Sequence, residues 1–148
     1  MTAGCTEGCD GERVVILTAF ARMIALDAKT GAPVFSLDFK HWPMFSSPAI
    51  AGDFVYIGSH QGRLLAINLK AQKLAWSFDT DGAKKNAATY TKDDGTPKYE
   101  AAFFDFFYDD MVSGVQKMMS VGAILSSLVV DGDTIFFGST DGNVYALM

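Results

Sequence analysis

The stretch SSPAIAGDFVYIGSHQGRLLAINLKAQKLAWSFDT, Ser46 to Thr80, decides the fold. It divides into four short runs rich in Val, Ile, Tyr, Leu and Phe: SSPAI, FVYIGS, RLLAIN and KLAWSF. The turns AGD, HQG and LKAQ separate them, and DTDG follows the last. Runs of this length, punctuated by Gly-bearing polar turns, predict antiparallel hairpins. Four such strands within about forty residues predict a propeller blade rather than a sheet of a sandwich.

Two further segments repeat the pattern. RVVILTAFARMIALDAKTGAPVFSLDF spans Arg13 to Phe39, and LSSLVVDGDTIFFGSTDGNVYALM spans Leu125 to Met148. Each holds a β-rich run, a polar turn and an apolar strand ending in Ala-Leu or Ala-Ile. Blade units are therefore expected at 13–39, 46–80 and 123–148, preceded by a flexible N-terminus at 1–12. Pattern gives three strands to the first unit, four to the second and three to the third. The fold class expected is mainly β: a partial propeller of about two and a half four-stranded antiparallel blades, with one helical insertion. The first unit would lack its innermost strand and the third its outermost.

The turns carry a resemblance to a family. ALDAKTGAPVF, from Ala25 to Phe35, resembles the tryptophan-docking motif of the pyrroloquinoline-quinone (PQQ) repeat, A-x-D-x-x-T-G-x-x-x-W, with Phe35 where Trp is usual. AINLKAQKLAW, from Ala66 to Trp76, resembles a degraded copy that keeps the Trp, with Asn68 for Asp and Gln72 for Gly. The resemblance implies that Ala25, Asp27, Thr30, Gly31, Phe35, Ala66 and Trp76 are structural, with the outer-strand aromatic packed between neighbouring blades. The Asp-x-x-Thr-Gly turn has a physical logic of its own, because side-chain oxygens satisfy turn amides and Gly accepts a positive φ. The family contains PQQ dehydrogenases, which would imply a quinone, calcium and a catalytic Asp. It also contains a non-catalytic, BamB-like branch, to which the insert and the third unit are more similar. No catalytic segment matches residue by residue, so the expectation is a scaffold without cofactor. PQQ with calcium is expected only if the dehydrogenase alternative holds, and a small-ligand binding module is the third reading. The family also implies the periplasm or cell envelope, although no signal peptide is present in this sequence.

Between the second and third units, residues 83–119 form an insert. Thr96 and Pro97 suit a helix cap and first position. Phe103, Phe104, Phe107, Met111, Val115, Met118 and Met119 then recur at helical spacing and form one apolar face. Such a face serves first to cover the propeller's own surface, and alternatively to contact a partner or a second copy. Gly114 predicts a bend or break in this helix.

Composition excludes several function classes. A net charge of −5 and scattered Lys and Arg leave no basic footprint for nucleic acid. No apolar run reaches membrane-span length. Cys5 and Cys9, with only His41 and His60 besides, make a poor zinc set, and whether the two thiols pair stays open. DTDG at 79–82 opens like a calcium loop but places Tyr90 at the twelfth position, where Glu is required. The Asp-Gly pairs beginning at 94, 131 and 141 read as turns. A slice of propeller exposes apolar faces and strand edges, which predicts a homo-oligomer or another protein as partner.

Overall fold

The computed structural model describes residues 11–18, 22–39, 43–94, 96–103 and 108–148. Cys5, Cys9, His41, Phe104 and Phe107 lie outside the described residues. Among the described residues ten strands form three antiparallel sheets. The first is β1 (Arg13–Thr18), β2 (Arg22–Asp27) and β3 (Pro33–Asp38). The second is β4 (Ala49–Ala51), β5 (Phe54–Gly58), β6 (Arg63–Asn68) and β7 (Lys73–Asp79). The third is β8 (Val129–Asp131), β9 (Thr134–Gly138) and β10 (Val144–Leu147). Within each sheet the strands pair in chain order, as successive hairpins must.

Alternation of side chains turns each strand into a two-faced ribbon, and here both faces of the middle sheet are buried along β5 and β6. Val55, Ile57, Leu65 and Ile67 point toward the first sheet and pack with Val15, Met23 and Ala25. Leu64 and Ala49 point the other way, onto Ile124, Leu128, Ile135 and Phe137 of the third unit. The middle strand β6 is consequently a continuous apolar run from Leu64 to Ile67, all of it fully buried. Three sheets packed face on face, each swept by chain-order hairpins, are blades of a propeller.

Two serines show how closely the units repeat. The Ser46 hydroxyl donates to the Gly58 carbonyl and accepts from the Gly58 amide at 3.0 and 2.8 Å. Ser126 makes the same pair of bonds with Gly138, both at 3.1 Å. Each ties the segment leading into the unit's first strand to the end of its second strand.

The insert is helical, as expected, but differs in detail: among the described residues it holds three helical segments rather than one. They are α1 (Asp81–Tyr90), α2 (Tyr99–Ala102) and α3 (Tyr108–Met119). Thr80 caps α1, its side chain accepting from the Ala83 amide, and Asp81 opens the first turn. The DTDG stretch is thus an ordinary helix start. Thr96 does not cap a helix: the next helix begins only at Tyr99, after Lys98, and the Thr96 amide and hydroxyl instead donate to Asp94 Oδ1 at 2.9 and 2.6 Å. Pro97 pairs instead with Thr91 in an isolated antiparallel bridge. α3 runs unbroken through Gly114, correcting the predicted bend: the Phe103 ring lies where a Cβ at 114 would stand.

Candidate functional site

The two ends of the blades carry different chemistry. At one end lie the β2–β3 and β6–β7 turns. Asp27 Oδ1 accepts from the Lys29 and Thr30 amides and the Thr30 hydroxyl at 3.0, 2.7 and 2.8 Å, while Gly31 takes φ +70°. These bonds, led by the Thr30 amide, hold the Asp27 carboxyl below its ordinary range. In the second unit Asn68 Oδ1 accepts from Lys70 and Ala71 at 3.0 and 2.8 Å, and Gln72 takes φ +54° in the glycine's place.

The paired docking positions have different surroundings. Ala25 and Ala66 are fully buried, opposite Phe35 and Trp76 in the strand register. Phe35 packs into the core between the first and second sheets. Trp76 lies over Tyr56 of its own sheet, centroids 6.0 Å apart, and remains 40% exposed. Phe78, two residues on, does reach across to the third unit. It meets Tyr145 at 5.7 Å and Phe137 at 6.4 Å, both edge to face, with Lys84 above it.

At the opposite end the β5–β6 turn, the connector to β4 and the insert come together. The His60 amide donates to the Pro43 carbonyl at 2.9 Å, and the Ile124 amide to the Ser59 carbonyl at 3.0 Å. Thr80 sits fully buried where these segments meet, its hydroxyl directed at the carbonyls of Val121 and Gly122. The approach is close enough that a Cβ at Gly62 would collide with the Val121 carbonyl and the Thr80 hydroxyl. From the third unit Asp141 and Tyr145 receive the start of α1. The Gly82 amide donates to Asp141 Oδ2 at 3.0 Å, the Asp81 amide to the Tyr145 hydroxyl at 2.8 Å, and that hydroxyl to Asp141 at 2.7 Å. Burial by itself would raise the Asp141 pKa, but donors from Tyr145, Gly82, Asn143 and Ser139 outweigh it and hold the carboxyl low. Asp141, read from sequence as a plain turn, thus fixes the insert to the third blade. The signal was the Thr80-Asp81 helix start, whose orphan amides need an acceptor.

The predicted insert face is split by this docking. Met118 is buried at 6% exposure and Phe103 is half-buried on Gly114, whereas Met111 is 64% and Val115 48% exposed. Val112, outside the predicted face, is as exposed as Met111. Beside them an apolar hollow of about 250 Å³ is lined by Phe45, His60, Tyr99, Phe103, Val115 and Met118, among others. Phe45 meets the His60 ring edge to face at 5.8 Å, and burial lowers the His60 pKa from its ordinary 6.5. Among the described residues no three His, Cys, Asp or Glu side chains come close enough to hold a metal ion. No helix among them is long and apolar enough to cross a membrane.

A family profile described as outer membrane protein assembly factor BamB matches the chain twice, over residues 1–97 and 45–148. The chain belongs to the BamB family of PQQ-repeat propellers. The two matches overlap on the second blade, as an internal repeat requires. Among curated proteins no significant sequence match is found. In structure the chain is similar to BamB from Moraxella catarrhalis, with a TM-score of 0.58 at 18% identity over 92% of this chain and 30% of that one. It is likewise similar to two computationally designed proteins. Ika4 gives TM-score 0.59 at 13% identity over 94% of this chain and 61% of that one; Ika8 gives 0.56 at 14% over 93% and 30%. At these identities the likeness speaks for the fold, a partial propeller. The chain spans about 30% of the length of the BamB structure it matches.

Proposed function

We propose that this BamB-family segment is a non-enzymatic propeller scaffold that binds another protein through its insert end, in the assembly of outer membrane proteins, and that copies of it also associate with one another. The observation that carries the reading is the apolar surface of Met111, Val112 and Val115 beside the hollow at Phe45 and Tyr99. Burying such side chains stabilises a complex by about 25 cal/mol per Å² of apolar area before the costs of association. Small residues and turn polar groups dominate the opposite end, where Lys29 and Lys70 are exposed.

The test is site-specific photocrosslinking in a bacterium that builds an outer membrane. Probes at Met111 and Val115 are expected to yield products with a component of outer-membrane protein assembly, and a probe at Lys29 none. Equal yields from the two ends, or none from either, would overturn the reading. Titration with PQQ and calcium, followed by absorbance, separates the enzymatic alternative: saturable binding would replace the scaffold with a dehydrogenase fragment.

A further inference from the structure

The strand register places the residues of the three units in equivalent positions. Val14 pairs with Leu26, Val55 with Ile67 and Ile135 with Leu147. One step along, Ile16 pairs with Ile24, Ile57 with Leu65 and Phe137 with Tyr145. In the second unit these four positions pack against the first blade, and in the third they pack against the second. In the first unit the same positions are Val14, Ile16, Ile24 and Leu26, an apolar set on the face turned away from the second blade. Ile16 is 45% exposed there.

The opposite faces repeat in the same way. Ala49, Tyr56 and Leu64 of the second unit face the third. Their register equivalents in the third unit are Val129, Phe136 and Val144, which are 57%, 39% and 82% exposed. The chain therefore carries one blade interface twice within itself and shows its two unmatched halves on opposite sides. A face that would match itself favours a face-to-face pair, whereas two different complementary halves favour head-to-tail contact.

We infer that a second copy of this chain covers both faces, the first blade of each copy packing on the third blade of the other. In two copies of this 148-residue chain the three described sheets of each make a ring of six, within the usual range of four to eight blades, whereas three copies would exceed it. The inference rests on the self-association in the functional reading, and specifies its faces, direction and number.

The test is sedimentation velocity on the full chain from about 1 to 100 μM, a range spanning ordinary association strengths. A species of two copies is expected. Ile16→Asp blocks the first-blade face and Val144→Asp the third-blade face, and each variant alone is expected to raise the apparent dissociation constant by about 100-fold through a buried unpaired charge. Mixed together, the two variants are expected to form a 1:1 pair through the one interface that both leave intact. Far-UV circular dichroism checks folding, with Ile16→Thr and Val144→Thr as milder substitutes. A monomeric parent chain, or variants that do not complement on mixing, would overturn the inference. Met111→Lys is expected to leave the pair intact and to weaken only the insert-end crosslinks; a parent chain that pairs but gives no crosslink from Met111 or Val115 would sink the partner-binding part of the functional reading alone.

Discussion

Asp27 and Asn68 hold equivalent turns, but the residue that closes each turn differs. Gly31 takes its positive φ without strain, while Gln72 is held there against the clash of its Cβ with the backbone. Gln72→Gly is therefore expected to stabilise the fold by about 0.5–1 kcal/mol in urea unfolding, the relief of strain exceeding the added chain entropy. His60 supplies a pH dependence. Its folded pKa lies below 6.5, so the unfolded chain binds the proton more readily. The stabilisation is present above about pH 6.5 and is lost as pH falls through that value toward the folded pKa. A thermal midpoint that declines between pH 7 and 5, with the decline reduced in His60→Gln, would show it.

At the scale of elements, the insert follows rules that spacing alone does not state. Apolar periodicity placed Met118 and Phe103 on an inward face, but the same periodicity put Met111 and Val115 there too, and they are exposed. Tertiary packing, not spacing, separates the two pairs: the Phe103 ring lies against Gly114 of α3, and Met118 is buried where Met111 and Val115 are not. Gly114 illustrates the same dependence. Replacing a mid-helix Gly by Ala ordinarily stabilises a helix by about 1 kcal/mol. Here the added methyl would enter the Phe103 ring, so Gly114→Ala is expected to lower stability by about 1–3 kcal/mol, measured by chemical denaturation.

The whole molecule is held by faces shared between sheets. Beside Ala49, Tyr56 and Leu64, Phe78 is a side chain through which the second blade grips the third, set against Tyr145 and Phe137. It is partly exposed, so Phe78→Ala is expected to remove about 2–3 kcal/mol, less than truncation of a fully buried ring. Hydrogen exchange should show the loss concentrated in β9 and β10 and at the start of α1, because Tyr145 also receives the Asp81 amide. Uniform loss across all three sheets would instead mean that the blades unfold as one cooperative unit.

The sequence by itself determined the blades. Period-two alternation, Gly-bearing turns and the repeat specify strands through local backbone geometry and through which face is apolar, and both are written residue by residue. The docking turn at Asp27 was legible for the same reason, since its acceptor and donors lie within three residues. The tertiary structure alone decided the rest: that Asp141 and Tyr145 hold a helix some sixty residues earlier in the chain, that Phe78 rather than Trp76 spans the blades, and that Met111 and Val115 of the insert's apolar face stay exposed. Those outcomes depend on contacts between residues far apart in the chain, where a periodic pattern names an apolar side but not the surface that will meet it.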